Sequence, residues 1–312
     1  MSEKSFKIGT RGSPLALKQA DMLRERLQKA HPDLSIEIIP IQSAADWKAQ
    51  DGERSLCSKD GGKGQFAKEI EEQILNGSLD CGVHSLKDMA SFLPEGLVID
   101  HYLPRADARD AFICAQYQTV MDLPEGAVIG TCSPRRQAFV LSKRPDLKIV
   151  PFRGNVSTRL DKVRNGQVDA TYLAMAGLSR LNITDPMIHA VEIEEMLPAC
   201  GQGIICVERR KDDERAQEIL NAVHDLQTGF CAIAEREVLA VLDGSCHTPL
   251  AAYAILEKDS LYVRAVVASP NGQEVYQEES RSICTSDTQA REIGARVGET
   301  LKARLPEGFL NS

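Results

Sequence analysis

The sequence predicts an α/β protein with two similar lobes, followed by a small C-terminal α+β domain. Short apolar runs alternate with helical patterns over the first two thirds of the chain, which favours β-sheets covered by helices. A Gly-Thr pair followed by a Ser-Pro pair occurs twice, at 9–14 and at 130–134, which indicates two related units. The last third differs, because three strand-like runs precede one closing amphipathic helix.

Length and composition exclude several classes of function. A chain of 312 residues can bury roughly 75% of its unfolded surface, so it needs neither disulfides nor a metal to stay folded. Its net charge of −8 argues against a general binder of nucleic acid or membrane surfaces. The nine cysteines form no CxxC pair, the six histidines lack zinc-ligand spacing, and the N-terminus shows no secretory segment. We therefore expect a cytoplasmic protein without a metal site. A monomer is also expected, although the sequence does not determine the oligomeric state.

The first lobe is predicted to contain three strands and two helices before the chain leaves it. In order, these are a strand at 6–9, a helix at 15–27, a strand at 34–41, a helix at 66–75 and a strand at 79–83. Residues 43–64 are polar and glycine-rich. Since loops of this length inside a compact domain are usually functional or disordered, we expect a mobile flap there.

A polar cluster, His84-Ser-Leu-Lys-Asp88, follows the strand at 79–83. Ligands bind at the carboxyl ends of strands in open α/β sheets, so this cluster is a candidate site. Lys87 beside Asp88 could be a surface ion pair of little energetic value. At a strand end that faces a cleft, however, Asp88 is also a candidate for proton transfer or for stabilising a cation.

The second lobe is predicted from a second alternating series. Extended runs at 97–103 and 110–114 indicate a crossing between lobes. The series that follows has strands at 127–130, 147–152 and 168–173 and helices at 134–143, 156–165 and 174–181. This alternation predicts a mainly parallel sheet. Residues 197–203 look like a return crossing, before a strand at 204–207 and a helix at 212–223.

An anion site is predicted where the strand at 127–130 meets the next helix. Ser133 is a good N-cap, Pro134 suits the first helical turn, and the free amides of a helix N-terminus attract anions. Arg135 and Arg136 add permanent positive charge, and Arg153 and Arg159 follow the next strand. Four arginines on two neighbouring turns indicate a ligand with several carboxylates or phosphates, although a solvated basic face would give the same pattern.

The last third is predicted to form a helix at 228–242, strands at 250–256, 261–268 and 274–280, and a final helix. Cys246 lies in a polar loop between the first helix and the first strand, where its thiol should be accessible. Cys132 competes as the reactive thiol, because a helix N-terminus lowers the pKa of a thiol. Cys81, Cys206 and Cys231 are most simply core residues. Physical chemistry alone leaves Cys246 and Cys132 both open.

At this point the chain resembles the porphobilinogen deaminase (hydroxymethylbilane synthase) family over almost its whole length. The motifs that carry the resemblance are Thr10-Arg-Gly-Ser-Pro14, Gly61-Gly-Lys-Gly64, His84-Ser-Leu-Lys-Asp88, Arg109-Asp-Ala-Phe112, Gly130-Thr-Cys-Ser-Pro-Arg-Arg136, Arg153-Gly-Asn-Val-Ser-Thr-Arg159, Leu197-Pro-Ala-Cys-Gly-Gln-Gly203, Ala234-Glu-Arg236 and Gly244-Ser-Cys246. The resemblance implies lobes like those of periplasmic binding proteins. It also implies a transferase of tetrapyrrole and haem biosynthesis that joins four porphobilinogen molecules head to tail, releases ammonia and yields hydroxymethylbilane.

The resemblance implies a role for each motif. A covalent dipyrromethane cofactor would be attached to Cys246, and Asp88 would be the catalytic carboxylate. The residues implied to hold the cofactor are Lys87, Ser85, Thr131, Ser133, Arg135, Arg136 and Arg159. Those implied to bind substrate are Arg11, Ser13, Arg153, Arg159 and Phe66. Each pyrrole ring carries an acetate and a propionate arm, and charge-assisted hydrogen bonds to such groups contribute roughly 1.5–3 kcal/mol each.

Three positions depart from the family pattern: Ala45, Gln65 and Ala90. They lie in or near the expected flap and the strand end, so we expect them to bear on the behaviour of the flap and on the rate. Asp88, Cys246 and the arginines implied to carry the chemistry are all present. We expect lobe 1 to span 1–103 with 204–221, lobe 2 to span 104–203, and the C-terminal domain to span 222–312. Two other functions fit parts of the pattern: a non-catalytic two-lobed anion-binding protein, and an acyl transferase with a cysteine nucleophile.

Overall fold

A computed structural model describes residues 5–41, 67–242 and 248–311. The first elements are β1 (Phe6–Arg11), α1 (Pro14–Ala30), β2 (Ile36–Ile41), α2 (Lys68–Leu75), β3 (Cys81–Ser85), β4 (Leu97–Tyr102) and β5 (Asp110–Ile113). Next come β6 (Val128–Gly130), α3 (Pro134–Lys143), β7 (Lys148–Val150), α4 (Val156–Arg164), β8 (Ala170–Ala174), α5 (Met175–Arg180) and β9 (Ile188–Ala190). The remaining elements are β10 (Ile205–Arg210), α6 (Glu214–Asn221), α7 (Leu226–Val241), β11 (Leu250–Glu257), β12 (Ser260–Ala268), β13 (Val275–Ile283) and α8 (Asp287–Lys302).

Two five-stranded sheets form the two lobes, and their strand orders correspond. The first sheet, in lobe 1, has the order β2-β1-β3-β10-β4, and the second, in lobe 2, has the order β7-β6-β8-β5-β9. In lobe 1, β1 lies between its parallel neighbours β2 and β3, and in lobe 2, β6 lies between its parallel neighbours β7 and β8. The next strand in each sheet, β10 in lobe 1 and β5 in lobe 2, is the one that has just crossed from the other lobe. The two α/β lobes and the C-terminal α+β domain of the predicted fold class are confirmed.

The sheets are mixed rather than mainly parallel, which corrects the sequence-based prediction. β10 runs antiparallel to β3 and β4, and β5 runs antiparallel to β8 and β9. The cause is the route of the chain, because a strand that enters a sheet from the neighbouring lobe arrives from the opposite end. The short strand β9 was not predicted from the sequence.

The C-terminal region packs two helices against one face of a three-stranded antiparallel sheet, β11-β12-β13. Apolar residues at alternate positions of β12 point to the helices, and the closing helix α8 contributes Ile293, Val297 and Leu301 to the same core. The predicted α+β arrangement of this region is confirmed. In the described part of the chain, no helix is both long and apolar enough to cross a membrane.

One buried ion pair joins the crossings to the C-terminal region. Nη1 of Arg105, on the first crossing, lies 2.5 Å from Oε1 of Glu235 on α7, and its Nε donates to the carbonyl of Gln202 on the return crossing at 2.9 Å. Glu235 is fully buried and also accepts from the amide of Gly201 at 2.7 Å. At Gly203, φ is +87° and a Cβ would lie 2.6 Å from the carbonyl oxygen of Ala106. The two crossings are therefore packed too closely for any larger residue at 203.

Candidate active site

The ends of β1 and β3 form a small cavity in lobe 1. Ser13 caps α1, since its side chain accepts from the amide of Ala16 at 3.3 Å, and Pro14 occupies the first turn as predicted. After β3, a short 3-10 turn spans Leu86–Asp88. The cavity has a volume of about 70 Å³, and its lining includes Arg11, Ser13, His84, Ser85 and Asp88.

Two neighbours set the geometry of this strand end. The buried amide of Gln19 on α1 donates to Oγ of Ser85 at 2.7 Å, which fixes the serine against the helix. Asp88 itself is exposed to solvent. A carboxylate at the mouth of a cavity can contact a ligand directly. It is therefore available to stabilise a positive charge that forms on the ligand.

Lys87 points from lobe 1 towards the charged groups of lobe 2. It is partly buried, and its Nζ donates to Oε1 of Gln202 at 3.4 Å. Burial lowers the pKa of Lys87 to about 8; Asp88 opposes this shift, and Arg136 adds to it. An ammonium group in this position gains strongly from a carboxylate ligand, because the ligand would replace its lost hydration.

In lobe 2, Ser133 caps α3 as predicted. Its Oγ accepts from the amide of Arg136 at 3.4 Å, and its own amide donates to Oγ1 of Thr131 at 3.0 Å. Thr131 is buried, and its amide donates to the carbonyl of Val150 on β7. The predicted strand-to-helix turn is thus confirmed in both lobes.

Arg135 and Arg136 are buried and share one carboxylate, an arrangement that the sequence did not reveal. Nη2 of Arg135 donates to Oδ2 of Asp110 at 2.8 Å, and Nη2 of Arg136 donates to Oδ1 at 2.6 Å. Burial alone would raise the pKa of Asp110, but the two guanidinium groups outweigh that effect and hold the pKa below its usual value. One net positive charge therefore remains beneath the N-terminus of α3.

Arg153 and Arg159 lie on the next turn of lobe 2, and both are partly buried. Nε of Arg159 donates to the carbonyl of Gly154 at 2.9 Å, which holds the guanidinium over the turn. Asn155 caps α4 by accepting from the amide of Thr158 at 2.9 Å. The same loop therefore presents two cations and a helix N-terminus.

Sequence reasoning missed Arg180, at the end of α5. This arginine is buried, donates to the carbonyl of Gly203 at 2.7 Å, and has no hydrogen-bond partner on Nε within the described residues. Burial lowers its pKa to about 10. In the sequence it looks like an ordinary basic residue in the last turn of a helix, and no local signal distinguishes it.

Several predicted features lie outside the described residues: the flap at 43–64, Phe66, Cys246, and the departures Ala45 and Gln65. Cys132 is described and partly buried, and its Sγ accepts from the amide of Phe152 at 3.2 Å. Cys81, Cys206 and Cys231 are buried as predicted. The carbonyl of Ala90 accepts from Nη2 of Arg236 at 2.9 Å. Across the described ranges, no cluster of three or more His, Cys, Asp or Glu side chains could hold a metal ion.

The described residues fit a ligand with several carboxylates, such as dipyrromethane. Besides Arg180, Arg135 has a buried Nε without a hydrogen-bond partner in the described part of the chain. Lys87 is a dehydrated cation that interacts electrostatically with Arg135 and Arg136. Buried donors without partners are costly, and a bound carboxylate would satisfy them.

Comparison with known families gives two matches along the chain. Residues 6–218 match the model of the porphobilinogen deaminase dipyrromethane cofactor binding domain, and residues 229–303 match the model of the porphobilinogen deaminase C-terminal domain. The porphobilinogen deaminase of Paracoccus denitrificans is 46% identical over 99% of this chain and 97% of its own length. The chloroplastic porphobilinogen deaminase of Oryza sativa subsp. japonica is 43% identical over 98% of this chain and 86% of its own length.

Solved structures with a similar fold include a periplasmic substrate-binding protein of an ABC transporter from Coxiella burnetii. Its TM-score is 0.41 at 14% identity, over 74% of this chain and 96% of that protein. The VFT2 domain of BvgS from Bordetella pertussis has a TM-score of 0.42 at 16% identity, over 70% of this chain and 86% of that domain.

Proposed function

Because this chain belongs to the porphobilinogen deaminase family, we propose that lobe 1 performs the proton chemistry and that lobe 2 holds most of the carboxylate arms. The chain is a transferase of tetrapyrrole biosynthesis that uses a dipyrromethane cofactor and yields hydroxymethylbilane from porphobilinogen. The position of Lys87 is the main support for this proposal, because Lys87 extends from lobe 1 towards Arg135, Arg136 and Asp110 in lobe 2.

The residues proposed to hold the cofactor are Lys87, Ser85, Thr131, Ser133, Arg135, Arg136 and Arg159, with the covalent bond at Cys246. When bound, dipyrromethane supplies the primer on which the chain of rings is built. The chain's own contribution is to fix the carboxylate arms, through a positively charged surface that Asp110 neutralises only in part. A preorganised set of donors spares the ligand the cost of ordering them.

Asp88 is proposed as the catalytic carboxylate. Loss of ammonia from porphobilinogen leaves an electron-poor methylene-pyrrolenine, and the ring that attacks it becomes cationic before losing a proton. A carboxylate at the cavity mouth stabilises such a cation and transfers protons. The exposure of Asp88 supports this role, because its charge is available to a ligand.

Arg11, Ser13, Arg153, Arg159 and Phe66 are proposed to bind the substrate. Arg11 and Ser13 line the same cavity as Asp88, so an arm held there would bring its ring close to the carboxylate. Arg153 and Arg159 would hold arms on the lobe 2 side. With the proposed domain limits, Arg11 and Ser13 belong to lobe 1, and Arg153 and Arg159 belong to lobe 2. The substrate would therefore be held between the two lobes.

We also propose a monomer in the cytoplasm, without nucleic acid or membrane as a partner. The seven described cysteines are free thiols, which supports a reduced compartment. The net charge of −8 supports the absence of a polyanionic partner. Light scattering coupled to size exclusion would test the monomer.

Incubation of the purified chain with porphobilinogen tests the function, with release of ammonia and formation of linear tetrapyrrole as the two readouts. Intact-mass spectra test the attachment site. The wild-type chain should exceed its sequence mass by two pyrrole units, Cys246→Ser should lose that increment, and Cys132→Ser should keep it. The reverse result would place the cofactor at Cys132, whose Sγ is engaged by the amide of Phe152.

A further inference from the structure

A histidine and a glutamate are paired inside lobe 1, behind the cavity that Asp88 lines. Nε2 of His84 lies 3.1 Å from Oε2 of Glu208. His84 keeps 7% of its surface exposed, and Glu208 keeps none. This distance is that of an ion pair, but neither Nε2 of His84 nor either carboxylate oxygen of Glu208 has a hydrogen-bond partner among the residues that the structure describes. A buried charge with so few partners is costly, so packing alone does not explain the pair.

The backbone makes room for this pair. Gly82 and His84 lie on the same face of β3, and Gly82 lies directly opposite Glu208 on β10. A Cβ at residue 82 would lie 2.8 Å from Nε2 of His84. The glycine therefore lets the imidazole lie across the strand and reach the carboxylate.

His84 is also one of the residues that line the cavity with Asp88, Ser85 and Arg11. A carboxylate next to one ring nitrogen of a histidine favours one orientation of the ring and leaves proton exchange to the other nitrogen. Because Glu208 lies next to Nε2, Nδ1 is the nitrogen left for proton exchange. The arrangement is that of a base held by an orienting acid.

We propose that Glu208 orients His84 as a second proton acceptor for the reaction, which exchanges protons with the cavity that Asp88 lines. This inference rests on the proposed role of Asp88. Asp88 stabilises the positive charge, and His84 takes up the proton that is released when two rings are joined.

The step balances without a further reactant. The bond from carbon to nitrogen in the protonated substrate breaks, and its electron pair leaves with ammonia. After the new bond between carbons forms, the attacking carbon loses a proton, and the electrons of that C–H bond restore the aromatic ring. The proton passes to Nδ1 of His84 and leaves with the released ammonia as ammonium.

The charged or titratable groups of the described chain near the pair or its cavity include Glu71 from α2, Cys206 from β10, Asp88 from the turn after β3, and Arg11 from the end of β1. Burial, and next the charge of Glu208, raise the pKa of Glu71 to about 7, while His84 opposes this rise. Glu71 thus provides a further carboxyl group that titrates near neutral pH next to the dyad.

His101 provides a matched control. It is a second buried histidine of the same sheet, with 3% of its surface exposed, and its Nδ1 lies 2.6 Å from Oδ1 of Asp100. It lies on β4 and does not line the Asp88 cavity. His84→Gln and His101→Gln each remove one buried imidazole from an acid partner. We expect kcat to fall by about 10²-fold or more in His84→Gln, whereas His101→Gln should keep wild-type turnover per folded molecule.

Glu208→Gln supplies a readout that a purely structural role would not move. An amide stabilises a protonated imidazole less than a carboxylate does, so kcat should fall about tenfold or more while KM for porphobilinogen stays near the wild-type value. A purely structural defect would instead lower the amount of folded enzyme and leave kcat per folded molecule unchanged.

Turnover of His84→Gln equal to that of His101→Gln, or an unchanged kcat in Glu208→Gln, would overturn the inference. If His84→Gln does not fold, kcat and KM of Glu208→Gln decide. A wild-type chain that makes no hydroxymethylbilane would refute the proposed function itself. An active wild type, an inactive Asp88→Asn and a fully active His84→Gln would refute only the role of His84.

Discussion

In lobe 1, Arg11 is the last residue of β1 and precedes helix α1, whereas in lobe 2 Arg135 and Arg136 lie inside the first turn of α3. The serine caps are alike, but the interiors behind them carry opposite charge. Lobe 1 buries Glu208 beside His84, and lobe 2 buries two arginines on one aspartate. Under the proposed function, this local unit would mainly serve proton chemistry in lobe 1 and carboxylate binding in lobe 2, according to which charges are buried beneath it.

The largest expected effect tests the proton chemistry of lobe 1. Asp88→Asn should lower turnover by about 10²–10⁴-fold, because an amide cannot balance a cationic ring. Fold and cofactor should be retained, since Asp88 is exposed. Initial rates of tetrapyrrole formation and intact mass give both readouts, with the exposed Glu95→Gln as control. Near-normal product formation by Asp88→Asn would remove Asp88 from the mechanism.

The next test addresses the buried cations of lobe 2. Asp110→Asn leaves two buried guanidinium groups without their carboxylate, so the free energy of unfolding should fall by about 3–5 kcal/mol. Urea unfolding measures this loss. Asp107→Asn is the control, because its ion pair with Arg109 is partly exposed and is worth about 1 kcal/mol or less. Equal stability of the two variants would show that Arg135 and Arg136 do not depend on Asp110.

A third test asks whether the outer arginines of lobe 2 bind ligand. Arg153→Leu and Arg159→Leu should each lose about 1.5–3 kcal/mol of carboxylate binding, or roughly tenfold to one-hundredfold in KM or in cofactor retention. The melting temperature should change little. A collapse of stability with unchanged activity per folded molecule would assign these arginines a structural role.

The two caps should respond alike, which sharpens the comparison. Ser13→Ala and Ser133→Ala each remove one hydrogen bond to a helix amide, and each should lower the free energy of unfolding by about 1 kcal/mol. Serine-to-asparagine variants at both positions retain a capping oxygen and serve as controls. A clearly unequal loss would show that the two turns are not equivalent units.

The smallest effect concerns Glu71 in lobe 1, whose pKa is raised to about 7 by burial first and by Glu208 next. Since its folded pKa exceeds its unfolded pKa, the folded state binds more protons between about pH 4.5 and 7, and stability falls as pH rises through that window. Glu71→Gln removes this dependence, so its stability relative to wild type should increase from pH 5 to pH 8. Equal pH dependence in both proteins would contradict the shift; the exposed Glu72→Gln is the control.

The sequence predicted those features that depend on neighbouring residues. Ser13 and Ser133 cap their helices as expected, because an N-cap is encoded within four residues. The polar cluster after β3 was likewise found from its position at a strand end. In contrast, three other features depend on which strands become neighbours in the fold. They are the pairing of Asp110 with Arg135 and Arg136, the contact of His84 with Glu208, and the antiparallel insertion of β10. No local pattern encodes such contacts.

The position of β10 has a consequence for the order in which the molecule can be assembled during synthesis. β4 joins the first sheet only through β10, and β10 leaves the ribosome after every strand of the second sheet has been made. Domains usually fold from the N-terminus onwards as they emerge. Here the lobe that begins first must wait for the last of its five described strands, so lobe 2 can complete its sheet before β4 is joined to the rest of lobe 1.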